Sequence, residues 1–203
     1  MISIKNVVSL AGVLLIVFSV AVCFGADSTA AKSSNPVVVM ETSMGDITVE
    51  LYQDKAPKSV ANFLAYVKSG FYNGTIFHRV IKGFMIQCGG YTEDNKSKSG
   101  KKAPIENEAT NGLKNEVGTL AMARTTEINS ATSEFFINTK NNASLNHRND
   151  TDGFGYAVFG KVTGGMDVVY KIENTKELAM NEMGEKAKPV TPIVIKSVKL
   201  KGE

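Results

Sequence analysis

The fourteen residues Phe77-His78-Arg79-Val80-Ile81-Lys82-Gly83-Phe84-Met85-Ile86-Gln87-Cys88-Gly89-Gly90 constrain this chain more than any other stretch. Arg79 and Gln87 are strong hydrogen-bonding side chains set among Phe77, Val80, Ile81, Phe84, Met85 and Ile86, residue types that belong against an apolar surface. Arginine is scarce here: the chain has 20 lysines and only three arginines, Arg79, Arg124 and Arg148. A guanidinium inside the most apolar motif is either half of a structural ion pair or a fixed donor in a site. Ile76 to Val80 and Phe84 to Gly89 are rich in β-formers, and Lys82-Gly83 between them is a turn centre. Period two along each strand puts Met85 and Gln87 on one face and Arg79 with Phe77, giving a wall that is half polar and half apolar.

The flanking chain supplies more strands and two helices. Val37 to Thr42 is β-type, and Ile47, Val49 and Leu51 alternate with polar residues after a turn at Met44-Gly45-Asp46, which predicts a hairpin. From Ala56 to Gly70 the period changes: Pro57 suits a first helical turn, Val60, Phe63, Leu64 and Val67 repeat at helical spacing, and Gly70 suits the stop. Gly118 to Arg124 and Glu134 to Thr139 read as strands, the second with Glu134, Phe136 and Asn138 on one face and Phe135 and Ile137 on the other. Phe154 to Val162 and Pro192 to Leu200 read as further strands, and Met166 to Ile172 as a short helix. Tyr91 to Glu116 is a polar loop whose lysines, with no aromatic residues interleaved in sequence, read as a solvated surface. The tally is seven or eight strands, two helices and one domain from residue 37 to residue 203.

Met1 to Gly25 has Lys5 near its start, an apolar run from Val7 to Val22 and a small-residue end, the pattern of a secretory signal peptide cut after Gly25. Residues 26–36 then read as a flexible linker. Val7 to Phe24 spans 18 residues, so an uncleaved membrane anchor stays open. Export predicts a periplasmic or otherwise secreted domain, with Cys88 left as its lone cysteine and a small buried hydrophobe. Cleavage would remove Lys5 and no acid, taking the net charge from +3 to +2, too little for a dedicated nucleic-acid binder. Two histidines, one mature cysteine and the absence of Gly-x-Ser-x-Gly or His-Glu-x-x-His motifs speak against a metal site or a hydrolase.

The run Phe-His-Arg-Val-Ile-x-x-Phe-Met-Ile-Gln-x-Gly resembles the central signature of the cyclophilins, peptidyl-prolyl cis-trans isomerases. Gly118-Thr-Leu-Ala-Met-Ala, Glu134-Phe-Phe-Ile-Asn and Gly155-Tyr-Ala-Val-Phe-Gly-Lys-Val come in the family's order, so the resemblance covers Val37 to Leu200. It implies a mainly β fold, a closed eight-stranded antiparallel barrel capped by two α-helices. It also implies a monomer that acts without cofactor or metal on proline-containing unfolded or flexible polypeptides. Arg79 matches the position that donates to the prolyl nitrogen. Phe84, Met85, Phe136 and Leu145 match the proline pocket, and Gln87 with the backbone at Ala123 and Arg124 matches the residues that hold the peptide.

Three positions depart from the commonest pattern. Glu134 stands where glutamine is usual, and in the groove it would be able to pair with Arg79. Ser144 replaces a tryptophan of eukaryotic members that contacts cyclosporin, and Tyr156 replaces a histidine, as in bacterial, periplasmic relatives. Arg124 replaces an asparagine. A non-catalytic peptide-binding or chaperone module on the same fold remains the alternative, since a fold alone does not establish turnover.

Overall fold

The computed structural model describes residues 35–148 and 153–202. The expected signal peptide and all but the last two residues of the expected linker lie outside them.

The chain runs β1 (Val37–Thr42), β2 (Gly45–Leu51), α1 (Pro57–Lys68), β3 (Thr75–Ile76), β4 (Arg79–Ile81), β5 (Met85–Cys88), β6 (Thr119–Met122), β7 (Phe135–Asn138), β8 (Val158–Gly164) and α2 (Met166–Glu173). It ends with β9 (Leu178–Met180), β10 (Lys186–Pro189) and β11 (Val194–Leu200). Nine strands form one antiparallel sheet in the order β3-β11-β1-β2-β8-β6-β7-β5-β4. The two outer strands of that order, β3 and β4, are separated in the chain only by Phe77-His78. They are one strand interrupted in its middle, so the sheet closes on itself as the expected eight-stranded barrel. The interruption departs from the continuous strand read over Ile76 to Val80: Ile76 donates its N–H to Tyr91 and Phe77 donates to Ile193 before Arg79 turns to pair with Gln87 on β5.

Closure makes alternation decide which residues are core and which can form a site. One side of each strand faces a continuous interior in which Val38, Met40, Ile47, Val49, Leu51, Leu120, Phe135, Ile137 and Ile195 have no exposed surface. Phe63 of α1 plugs into it, with ring centroids 5.1 Å from Tyr72, 5.3 Å from Phe135 and 5.4 Å from Phe159. Each such side chain contributes about 1.5–3 kcal/mol through burial. Met85, Ala121, Phe136 and Val158 point the other way and form a second, smaller apolar cluster on the outside of the barrel wall.

Helix α1 has Ala56 at its N-cap and no side-chain cap of its own. The carboxylate of Glu108 serves instead, accepting from Lys58 N at 2.9 Å, Ser59 N at 2.8 Å and Ser59 Oγ at 2.7 Å. A remote acid thereby satisfies the free N–H groups of a helix start and the positive end of its dipole. It also pins the long 91–116 segment to the body. That segment departs from a simple solvated loop in a second way, because Lys98, Lys101 and Lys102 lie over the rings of Phe71, Tyr91 and Tyr66. No helix among the described residues is long and apolar enough to cross a membrane.

Candidate functional site

Strands β5, β6, β7 and β8 carry the outer cluster, and β4 with the loops at the strand ends raises its walls. The resulting cavity, of about 340 Å³, is lined by Arg79, Phe84, Met85, Gln87, Ala123, Arg124, Phe136, Leu145, Tyr156 and Met183. Nine of the ten site residues expected from sequence therefore meet in one place, drawn from positions 79 to 156. Phe136 and Met85 are almost fully buried and make the floor. Tyr156 meets Phe136 edge to face at 5.7 Å, and the Arg124 guanidinium lies over the Tyr156 ring at 4.6 Å. Arg124 also donates its Nε–H to the Gly155 carbonyl at 3.0 Å, so its side chain braces the wall.

The walls are held by a chain of buried asparagines. Asn142 donates to the carbonyl oxygen of Phe84 at 2.8 Å and to Asn138 Oδ1 at 2.7 Å. Asn138 donates to Asn115 Oδ1 at 3.1 Å and to Thr119 Oγ1 at 2.9 Å, and Asn115 donates to the Leu145 carbonyl at 3.1 Å. Phe84 on one side of the cavity and Leu145 on the other are thus fixed to the same polar core. From below, Glu173 at the end of α2 accepts the Gly83 N–H at 2.8 Å, fastening the Lys82-Gly83 turn. Gly83 has φ +69°, the left-handed conformation such a turn requires.

Arg79 sits at the edge of this cavity, with its Cζ 6.0 Å from the Phe84 ring centroid. Its partner is Glu185: Nε donates to Oε2 at 2.7 Å and Nη2 to Oε1 at 2.6 Å, with side chains 19% and 33% exposed. The Arg79 hydrogen bond holds the Glu185 carboxyl down at about 2, a second bond from Asn181 helping against partial burial. Both readings of the arginine made from sequence meet here, since it is ion-paired and also lines the site.

Glu134 requires a correction. It does not pair with Arg79 and does not line the Arg79 cavity. It accepts from Gln87 Nε2 at 3.0 Å and from Lys101 Nζ at 3.1 Å, and His78 Nε2 lies 3.5 Å away. Glu134 precedes β7, beyond the last ladder pair, Cys88 with Phe135, whereas Arg79 lies opposite Gln87, so the two sit at different heights on the wall. Glu134 and His78 line an adjoining cavity of about 430 Å³, which shares Gln87 and Met183 with the first.

His78 is 14% exposed, rests 4.5 Å from the Tyr91 ring, and is pushed below its ordinary pKa by burial, partly opposed by Glu134. Its shielding and its contacts with the Tyr91 ring and Glu134 fit a structural role. His147 contacts the Phe154 carbonyl through Nδ1 at 2.8 Å in the loop after Leu145. Burial pushes the Cys88 thiol well up, which fits a packing role. Among the described residues no group of three or more His, Cys, Asp or Glu side chains is placed to hold a metal.

Sequence reasoning missed Met183 and Glu185, both on the turn of the β9–β10 hairpin. The available signal was Asn181-Glu182-Met183-Gly184, a turn-forming run between two segments of weak β-preference.

Comparison with known proteins gives a consistent result. Residues 37–200 match the family model described as cyclophilin type peptidyl-prolyl cis-trans isomerase/CLD. The chain is 55% identical over 166 residues to the peptidyl-prolyl cis-trans isomerase cyp18 of Streptomyces antibioticus, covering 81% of this chain and 98% of that one. It is 51% identical over 164 residues to peptidyl-prolyl cis-trans isomerase B of Escherichia coli, covering 80% and 98%. Among solved structures, a Cryptosporidium parvum cyclophilin type peptidyl-prolyl cis-trans isomerase superposes with TM-score 0.66 at 30% identity, over 83% of this chain and 99% of that one. The same parasite protein has also been crystallised in the presence of the dipeptide Ala-Pro.

Proposed function

Because the chain belongs to the cyclophilin-type peptidyl-prolyl cis-trans isomerases, we propose that it accelerates X–Pro rotation through Arg79, acting on a proline ring seated in the cavity beside it. The isomerase activity is that of the family, and its substrates are proline-containing peptides.

Rotation about the amide is slow because conjugation gives the C–N bond partial double-bond character and a barrier of ~18–20 kcal/mol. At the twisted geometry the prolyl nitrogen regains its lone pair and becomes a better acceptor. A donor held beside it bonds more strongly there than in either planar form, which is the condition for lowering a barrier rather than merely binding substrate. A guanidinium meets it without any proton transfer, since it stays charged and carries five N–H groups in a rigid plane. Phe84, Met85, Phe136 and Leu145 supply an apolar seat for the ring. Gln87 and the backbone at Ala123 and Arg124 hold the chain on either side, which leaves specificity broad.

The observation that carries this reading is the convergence of Arg79 with those apolar residues on one cavity. The test is a protease-coupled isomerisation assay on a short Ala-Pro peptide with the full chain and Arg79→Ala. A loss of about a hundredfold in kcat/KM, about 2.7 kcal/mol of transition-state stabilisation, is expected. Retention of the parent rate would remove Arg79 from the mechanism. The export reading rests on the sequence of Met1 to Gly25 alone, and the N-terminal mass of protein recovered from its host tests it, with Ala26 as the expected first residue.

A further inference from the structure

The β9–β10 hairpin is a two-stranded sheet separate from the barrel, yet β10 packs against β4, the strand that carries Arg79. Its turn is built around Asn181. The Asn181 side-chain oxygen accepts from the N–H groups of Met183 at 3.0 Å and Glu185 at 2.9 Å, and Asn181 N donates to the Glu185 carbonyl at 2.8 Å. Asn181 Nδ2 then donates to Glu185 Oε2 at 2.8 Å. Backbone and carboxylate of Glu185 are therefore both fixed before Arg79 is considered.

Glu185 is the hydrogen-bond partner of the Arg79 side chain among the described residues. Gln87, directly across the strand ladder, gives its amide to Glu134 instead. The carboxylate takes the Nε–H and one Nη2–H along one edge of the guanidinium. The two Nη1–H groups and the second Nη2–H stay outside that pair, so the acid does not compete for every donor a prolyl nitrogen would use. A bidentate carboxylate also fixes the plane of the guanidinium, which a flexible side chain cannot do alone. It further keeps an unpaired cation from being stripped of water when an apolar proline ring covers the site.

We propose that Glu185 is a positioning residue for catalysis, brought to the Arg79 guanidinium from outside the barrel by the Asn181–Glu185 turn so that the remaining N–H groups face the peptide in one orientation. This inference rests on the assignment of Arg79 as the donor to the prolyl nitrogen. It also makes the hairpin part of the active site, with Met183 on the same turn lining the proline cavity.

The experiment compares the full chain with Glu185→Ala, Glu185→Gln, Arg79→Ala and the Arg79→Ala/Glu185→Ala double variant, all checked for folding by circular dichroism. Isomerisation of an Ala-Pro peptide is measured with kcat and KM separated, and the Arg79 Nε–H is observed by ¹H–¹⁵N NMR. Glu185→Ala is expected to lower kcat about tenfold with KM changed less than twofold and to abolish the protected Nε–H signal. Glu185→Gln, which keeps an acceptor oxygen, is expected to recover part of the rate. In the Arg79→Ala background the second substitution should change nothing further. An unchanged or raised kcat in Glu185→Ala, or a loss that multiplies with that of Arg79→Ala, overturns the role of Glu185. A fully active Arg79→Ala would instead overturn the assignment of Arg79 itself.

Discussion

Replacing Asn138 by alanine reaches the site from beneath without touching substrate. Asn138 is fully buried and makes three side-chain hydrogen bonds of 2.7 to 3.1 Å, to Asn115, Thr119 and Asn142. Two partners keep other bonds: Asn142 still reaches the Phe84 carbonyl, and Thr119 Oγ1 still donates to the Glu116 carbonyl. Asn115 Oδ1 loses its donor in a place water does not reach. Three bonds at about 1 kcal/mol each, plus about 1 kcal/mol for the orphaned acceptor, give a destabilisation of about 4 kcal/mol. With a urea m-value of about 2 kcal/mol/M, the unfolding midpoint should fall by about 2 M with m unchanged. Because the same network fixes the Phe84 and Leu145 carbonyls, kcat/KM at temperatures where the variant is folded should fall about threefold to tenfold, chiefly through KM. A stability loss below about 1 kcal/mol would refute the reasoning, since it would mean that the buried amides repair themselves or hold water.

The site makes three more outcomes testable. Glu134→Gln should leave kcat/KM within about threefold or raise it, because Glu134 contacts Gln87 and Lys101 rather than Arg79; a tenfold loss in the peptide assay would contradict this. Glu185 has its carboxyl held at about 2 in the folded protein against an ordinary 4.5, so its stabilising contribution is complete above pH 4.5 and is lost as pH falls towards 2. Acid titration of unfolding stability should therefore show the parent more stable than Glu185→Gln above pH 4.5, with the gap closing below it; a constant gap would count against the ion pair. Ser144 is exposed on the 3₁₀ turn at Ala143–Leu145 and offers no large ring, so cyclosporin should inhibit weakly, and inhibition at nanomolar concentration would contradict that.

The barrel and most of the site were legible because their signals are local. Alternation in Ile47, Val49 and Leu51 and in Phe135 to Asn138 sorted interior from exterior, and Pro57 with the helical spacing of Val60, Phe63 and Val67 placed α1 within two residues of its observed ends. The apolar side of the cavity came from the same alternation combined with the family resemblance. What was not legible lies in long-range pairing. Arg79 and Glu185 are 106 positions apart, and nothing in the composition of either neighbourhood announces the other. The hairpin that presents Glu185 has Leu-Ala-Met and Lys-Ala-Lys-Pro as its strands, residues with little β-preference, so packing against β4 rather than propensity makes it. The break at Phe77-His78 is hidden for a related reason. Those residues look β-type, but one strand serves two neighbours on different edges of the barrel seam, and the change of partner falls there.

The most direct test of Arg79 as the catalytic donor watches the bound peptide rather than the turnover cycle. Exchange NMR on an Ala-Pro peptide saturated with the full chain, or with Arg79→Ala, gives the cis-trans interconversion rate on the protein and the affinity for each isomer separately. Stabilisation of the twisted amide by Arg79 predicts interconversion slowed about a hundredfold in the variant, about 2.7 kcal/mol, with both affinities within about twofold of the parent. Unchanged interconversion on the variant, with the loss appearing only as weaker binding of both planar forms, would contradict it.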